Sequence, residues 1–149
     1  MKSLLLAVQA QLRTDLTYIR DGDIYIAPHE NYIPSHVRPP CIGVKDGRIT
    51  RRELVSGMWE VRAQVILAVY TMLAKEEASV IGDGATGQKG ILEIAEDIHA
   101  SLDENRLGVS GVLSAFSPQE TPSTLFGTEP PFLQQKLITY EYETEEKRP

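Results

Sequence analysis

A long alternation of apolar and polar positions occupies residues 58–70. Successive side chains of a strand point to opposite faces, so this pattern predicts a strand with one buried face. At about 3.3 Å per residue, the strand would span roughly 40 Å, which is long for a chain of this size. The apolar parity consists of Trp59, Val61, Ala63, Val65, Leu67 and Val69, and the other parity begins with Glu60, Arg62 and Gln64.

Two other segments carry apolar residues at helical spacing. The first is predicted to begin at Ser3, its expected N-cap, and to run to about Leu16. The second has its apolar stripe between Ile91 and Leu102, and Gly108 is expected to end the helix. Its acidic side chains lie off the stripe and are expected to face solvent: Glu93, Glu96, Asp97, Asp103 and Glu104.

Shorter strands are predicted around these elements, separated by turn and loop signals. The dipeptide Asp46-Gly47 predicts a hairpin turn between two of them. Long loops are predicted at about 28–40, which is rich in proline, and at 117–131, and a frayed tail at 145–149. The predicted strands cover residues 24–26, 41–44, 48–54, 109–116 and 132–144.

The order of these elements sets the expected fold. A helix, a run of strands, the long strand, a second helix and further strands follow one another along 149 residues. Helices that are separated in sequence from runs of strands are typical of an α+β fold. We therefore expect a single domain over residues 1–149, with an antiparallel or mixed β-sheet, a long central strand and two main helices packed on it.

Composition and charge narrow the classes of function. Hydrophobic residues make up 42% of the chain, enough for a sizeable core, and the formal net charge is -6. An acidic protein is not expected to bind nucleic acid through a general basic surface. The single cysteine, Cys41, excludes an intramolecular disulfide. No apolar run approaches the roughly 20 residues that cross a bilayer, and the run at 4–8 is too short for a signal peptide.

The first predicted loop and its exit hold His29, His36 and Cys41, whose side chains can bind zinc. Their spacing matches no standard zinc finger, and no fourth ligand is evident. We therefore interpret them as two loop histidines and one buried strand cysteine, and we predict no metal and no cofactor.

Other candidate chemistry is incomplete. Residues 82–90 are rich in glycine and precede a helix, where backbone amides can bind an anion. The Gly-Lys-Ser/Thr order of a phosphate loop is missing, because Gly90 follows Lys89, so a connector is the simpler interpretation. Ser110 lacks the full Gly-x-Ser-x-Gly elbow, and His99 is interpreted as a helix-surface residue. No catalytic residue is predicted.

Candidate contact residues fall into a basic and an aromatic group. The basic group is either one side of an interface with an acidic neighbour or an ordinary exposed hairpin. The aromatic residues either mark a contact surface or fold back over the sheet edges. The basic interface candidates are Arg38, Lys45, Arg48, Arg51 and Arg52, and the aromatic ones are Tyr32, Phe126 and Phe132.

Three segments together carry a resemblance to a known family. They are YIAPHENYIPSHVRPPCIGVKDG after the first helix, the long strand MWEVRAQVILAVY, and the helix ILEIAEDIHASLDENRLG. The layout, over about residues 4–142, resembles the tail-terminator and related head–tail joining (minor tail) proteins of long-tailed bacteriophages and prophages. The resemblance lies in the order and pattern of elements, without a signature residue.

The resemblance implies a virion structural protein of the tail or neck, made in the bacterial host cytoplasm. Such subunits form a ring, a hexamer in the family, that caps the tail tube and joins it to the head. The implied partners are further copies of the chain, the tail tube protein and a head-completion or connector protein. DNA passes through the lumen without specific binding, which acidic walls favour because carboxylates repel phosphates. The family implies neither enzymatic activity nor a cofactor.

Two alternatives come from the residues alone. A small-molecule- or anion-binding regulatory α+β domain would use the glycine-rich residues 82–90. A hydrolase would use carboxylates of the second helix, such as Glu96 and Asp97, as general acid and base. An anionic ligand would raise the thermal stability of a regulatory domain, and Glu96→Gln or Asp97→Asn would abolish turnover by a hydrolase.

Overall fold

In a computed structural model, the chain folds into a mixed β-sheet with two helices packed on one face. The structure describes residues 1–73, 80–82, 89–127 and 132–147. The predicted α+β fold is confirmed. The helices are α1 (Lys2–Asp15) and α2 (Ile91–Leu102), and the strands are β1 (Ile24–Ile26), β2 (Cys41–Glu53), β3 (Met58–Met72), β4 (Val112–Glu120), β5 (Thr124–Phe126) and β6 (Leu133–Lys147).

The long strand β3 lies inside the sheet, as predicted. The strand order is β1-β2-β3-β6-β4, and β5 also pairs with β6. β1 runs parallel to β2, and the other described pairings are antiparallel. β3 and β6 pair along their whole length, from Met58 opposite Lys147 to Met72 opposite Leu133. The two strands therefore form the spine to which the shorter strands are added.

The C-terminal part of the chain holds more strand than the sequence predicts. β6 continues through residues 145–147, where a frayed tail is predicted, because Glu145 and Glu146 pair with Glu60 and Trp59 of β3. The predicted loop at 117–131 is also partly wrong, since β4 extends to residue 120 and β5 occupies 124–126. Both strands add to β6, whose backbone groups need partners. Residues 128–131 and 148–149 lie outside the described residues.

A β-bulge, and not the predicted hairpin turn, occupies Asp46-Gly47. β2 is continuous across the dipeptide. Between Asp46 and Ile49, β2 advances three residues while β3 advances two. Glycine fits here because a Cβ on Gly47 would lie 2.9 Å from the Cβ of Gln64. The turn prediction was wrong because a glycine inside a strand marks a close backbone approach as readily as a turn.

The real connection between β2 and β3 is a short 3₁₀ turn at Val55–Gly57. Gly57 has a φ of 74°, in the left-handed region that favours glycine. The Leu54 N–H donates to the Met58 carbonyl at 2.8 Å and closes the turn. The two strands therefore make one long hairpin.

Both predicted helices are present, but each has one end at a different residue from the predicted one. α1 begins at Lys2 with Met1 as its N-cap, so Ser3 is not the cap. α2 ends at Leu102 because Asp103 takes an extended backbone conformation as the C-cap. The prediction that Gly108 ends this helix was wrong, since the chain has already left the helix before it.

The face of the sheet under the helices, named the helical face, carries the main core. Residues of β3 alternate as predicted, and Val61, Val65 and Leu67 are buried on this face. Core partners come from α1 (Leu4, Val8, Leu12), from α2 (Ile91, Ile94, Ile98) and from β6 (Ile138, Tyr140, Tyr142).

The opposite face, named the outer face, is covered over only part of its length. A second apolar cluster forms there between β1, the proline-rich segment and the sheet, with Tyr25, Val37, Cys41 and Tyr70 at its centre. Further along β3 the same parity becomes polar at Gln64, Arg62 and Glu60. The sheet therefore has one half with apolar cover on both faces and one half without it.

Candidate assembly surface

The half of the β2–β3 hairpin without apolar cover, residues 48–60, is named the basic arm. β1 pairs only with residues 42–44 of β2, so within the described residues the β2 edge of the arm has no strand beside it. Burial on the helical face falls off past Val61: Trp59 is half-buried, Ile49 is 37% exposed and Val55 at the tip is 87% exposed. The arm is thus held by the sheet alone.

A buried carboxylate locks the base of the basic arm on the outer face. Glu60 is only 7% exposed. Its Oε2 accepts from Arg52 Nη2 at 2.6 Å, and its Oε1 accepts from Arg62 Nε at 2.9 Å. Arg52 lies directly opposite Glu60 because the extra bulge residue shifts the parity of β2 by one position.

Two opposing effects act on the Glu60 carboxyl. Burial works to raise its pKa, and the hydrogen bonds and charges of Arg52 and Arg62 outweigh burial, so the pKa lies below the ordinary glutamate value. Glu60 is therefore ionised at neutral pH. It holds the Arg52 guanidinium of the arm and the neighbouring Arg62 guanidinium in an internal cluster.

The remaining cations of the arm are uncommitted. Within the described part of the chain, Arg48 and Arg51 are exposed and take part in no ion pair, whereas Arg52 is held by Glu60. Cationic side chains on an edge strand discourage uncontrolled strand pairing. They also leave a positive surface on a chain whose net charge is -6. The arm is thus a cationic feature on an acidic protein.

The structure separates the other basic candidates from the arm. Lys45 is half-buried, and its Nζ donates to the Asp46 carbonyl at 3.0 Å. Arg38 precedes β2 at the opposite end of the hairpin, and its backbone N–H donates to Asp23 Oδ1 at 3.2 Å. The five cations that are close in sequence therefore do not form one patch.

The aromatic candidates lie partly against the protein's own sheet. Tyr32 packs on the outer-face cluster, and its carbonyl accepts from the Tyr25 hydroxyl at 2.6 Å. The Phe126 ring lies 5.2 Å from the Tyr70 ring, measured between centroids. Phe132 is half-buried. Much of their surface is thus used within the subunit.

A shallow groove, named the β4 groove, lies at the far edge of the sheet from the basic arm. Its lining includes Asp103, Glu104, Leu113, Phe116 and Ser117. Leu113 is 42% exposed and Phe116 is 47% exposed. Arg106 lies on one rim and His99 at the other end. The groove therefore combines two exposed apolar side chains with carboxylates.

His99 is more deeply engaged than a helix-surface residue, which corrects the sequence interpretation. Its Nδ1 lies 2.7 Å from Tyr140 Oη, and its Nε2 lies 2.9 Å from Glu120 Oε2. The Tyr140 hydroxyl donates to Asp103 Oδ1 at 2.6 Å. Sequence reasoning missed this network because its members lie on α2, β4 and β6, far apart along the chain. Only the even spacing of Tyr140 and Tyr142 in β6 hinted at it.

Burial and the nearby Asp103 carboxylate both raise the pKa of the Tyr140 hydroxyl, with burial the larger cause. The hydroxyl is therefore a neutral donor that joins the end of α2 to the sheet. This network fixes the wall of the β4 groove.

The residues considered for metal or acid–base chemistry are dispersed. His29 and His36 are exposed, while Cys41 is buried, and burial raises the pKa of its thiol to about 12. The described residues contain no group of three or more side chains placed to hold a metal ion. Asp97 accepts from the Tyr18 hydroxyl at 2.6 Å and lies 3.4 Å from Lys89 Nζ. The glycine-rich residues 83–88 lie outside the described residues.

Comparisons with known proteins give matches among solved structures only. No protein-family model matches the chain, and no curated protein matches it. None of the described helices is long and apolar enough to span a membrane. Among solved structures, the chain is similar to a chain of the "Virion of native gene transfer agent (GTA) particle", with a TM-score of 0.61 and 17% identity over 96% of this chain and 95% of that one. At this identity the likeness shows a shared fold across nearly all of both chains.

Proposed function

We propose that this chain is a structural protein of a phage-like virion and acts through assembly rather than catalysis. The observation that carries the proposal is the end-to-end likeness in fold to a chain of a gene transfer agent virion. The likeness covers nearly all of both chains, so it concerns the whole subunit and not a common fragment. The described side chains agree with this role, since the charged groups that line the two surface hollows around Glu60 and Asp103 are paired or exposed.

Within that class, we propose a tail terminator. Copies of the chain form a closed ring, a hexamer by the resemblance of the sequence to that family, which caps the tail tube and contacts the head-completion or connector protein. The protein is made in the host cytoplasm and ends in the tail or neck of the particle. With a net charge of -6 per copy, an acidic lumen lets DNA pass without adhering.

Self-association has an electrostatic basis in the basic arm. Arg48 and Arg51 present two uncommitted guanidinium groups, while the rest of the chain carries an excess of carboxylates. Complementary charge speeds encounter and fixes the register of two copies. A ring also needs two different patches that fit each other, because its contacts run head to tail.

The first experiment compares tube binding and ring formation. Purified wild-type protein is mixed with tail tubes from the same particle and viewed by electron microscopy. A ring at one end of each tube, with tube growth stopped, is the expected result. Protein that neither binds tubes nor appears in purified particles overturns the proposed function.

The second experiment tests the arm. Arg48→Glu with Arg51→Glu is expected to reduce assembly at low salt, because two attractive contacts become repulsive. Arg48→Lys with Arg51→Lys keeps the charge and is the matched control. Light scattering after size-exclusion chromatography measures the mass of the assembly. An unchanged mass in the glutamate variant shows that these arginines take no part in the contact.

A further inference from the structure

We propose that the basic arm of one copy lies along the β4 groove of the next copy, and that this contact repeats around the assembly. The inference rests on the proposed function, and it identifies the two surfaces that meet when copies of the chain assemble. The occupant of the groove is therefore a second copy of this chain, presenting Val55 and the two uncommitted arginines.

The two surfaces match in apolar character. The tip of the arm exposes Val55 almost completely, with Ile49 and Trp59 behind it only partly covered. The groove exposes Leu113 and Phe116, which both belong to the edge strand β4. Burying these side chains against each other removes apolar area from water on both copies.

The charges are complementary as well. Arg48 and Arg51 have no ion pair among the described residues. In the groove, Glu104 is exposed and likewise takes part in no described ion pair, and Asp103 keeps one oxygen free of the bond to Tyr140. Of the described residues that line the groove and are exposed, Arg106 carries positive charge, whereas Asp103 and Glu104 carry negative charge. The positive charge of the arm is therefore complementary to the negative charge of the groove.

The topology keeps the two surfaces apart within one copy. In the strand order β1-β2-β3-β6-β4, the arm edge of β2 and the edge of β4 are separated by β3 and β6. At about 4.8 Å per strand, that distance is about 14 Å. The arm and the groove lie on opposite sides of the β3–β6 pair. Each must therefore be filled by a different copy, which gives a heterologous contact that closes into a ring or extends as a filament.

A mixed cross-linking experiment tests the contact directly. One full-length protein carries Val55→Cys and a second carries Leu113→Cys; the native Cys41 is buried and does not compete. Under assembly conditions with a mild oxidant, a disulfide-linked pair is expected in the mixture and not in either protein alone. The control replaces the second protein with Leu125→Cys, which is 59% exposed on β5, away from the groove.

The outcomes separate this inference from the proposed function. Rings that form without a Val55–Leu113 link leave the virion role standing and overturn the contact. A Val55→Cys protein that links to itself as efficiently means a two-fold contact between arms and also overturns it. If Val55→Cys links to Leu125→Cys as efficiently as to Leu113→Cys, the links come from random collision, and the proposed contact is overturned. Wild-type protein that neither associates nor binds tubes removes both the function and the contact.

A second variant tests the same contact without relying on disulfide formation. Phe116→Glu places a negative charge in the apolar floor of the groove and is expected to abolish rings even at high salt. Phe116→Leu, which keeps an apolar side chain, is expected to retain them. Rings that persist in Phe116→Glu overturn the contact.

Discussion

The two halves of the long hairpin are built from the same strands and differ in what covers them. In the half near Leu67, α1 and α2 bury one face and the proline-rich segment buries part of the other. In the basic arm the strands continue, but the apolar cover stops and Val55 stands almost fully exposed. Strand that extends past its own core stabilises little within the subunit. This difference in cover is the reason for proposing the arm as a contact surface.

The largest expected effect on the free energy of unfolding comes from a substitution in the covered half of the hairpin, outside the arm. Leu67→Ala deletes a fully buried side chain and is expected to lower the free energy of unfolding by about 2–5 kcal/mol, because the surrounding core closes the cavity only in part. Val55→Ala at the arm tip is expected to change it by less than about 0.5 kcal/mol. Urea denaturation of the unassembled subunit measures both.

A comparable loss in the two variants would contradict the division. It would mean that the arm is packed in the isolated subunit as firmly as the centre of the sheet. If the two halves differ as described, Val55→Ala is expected to affect assembly and to leave the subunit's stability nearly intact.

Periodic patterns explain which parts of the fold are predictable. The 58–70 alternation and the stripe of α2 repeat many times, so one contrary residue cannot reverse them. Asp46-Gly47 is a single local signal. It forms a bulge because β2 continues its pairing with β3 on both sides of the dipeptide. The strand at 117–120 and the pairing of Glu145 were hidden because polar edge strands are stabilised by backbone pairing with β6, which no local pattern reports.

The candidate surface was predictable in part. Clustering in sequence grouped Arg48, Arg51 and Arg52, and these three residues do lie on one strand, β2; their role in an interface stays a prediction. It wrongly joined Arg38 to them, since the continuous β2 carries that residue to the other end of the hairpin. The β4 groove was not predicted, because α2, β4 and the residues between them meet only in three dimensions.

A smaller effect compares two tyrosines on one strand. Tyr140 and Tyr142 are both fully buried on β6. The Tyr140 hydroxyl bonds to Asp103 and His99, whereas the Tyr142 hydroxyl has no partner among the described residues. Tyr140→Phe is expected to cost about 1–3 kcal/mol, and Tyr142→Phe to be neutral or stabilising, because an unpaired buried hydroxyl carries a desolvation penalty.

Thermal or urea unfolding of the two phenylalanine variants gives the test, with each tyrosine serving as the control for the other. Equal destabilisation would mean that packing of the rings, and not the network at the groove wall, determines the cost. A greater loss in Tyr142→Phe would contradict the hydrogen-bond assignment at both positions.

The smallest expected effect concerns how the basic arm is fixed to the sheet. The pKa of Glu60 is lowered in the folded chain, so the unfolded chain takes up a proton at higher pH than the folded one. The stabilisation from Arg52 and Arg62 is therefore complete above the ordinary glutamate pKa of about 4.3 and is lost as pH falls through the lowered value.

Glu60→Gln removes this titration and is expected to weaken the arm at neutral pH. The difference in arm amide protection between wild type and Glu60→Gln, measured by hydrogen exchange, should be largest near neutral pH and should shrink as the pH falls through the lowered pKa of the wild-type carboxyl. Glu145→Gln is the matched control, because Glu145 lies directly opposite Glu60 on β6 and is exposed. A difference that grows in acid, or an equal effect of Glu145→Gln, would mean that backbone pairing alone holds the arm.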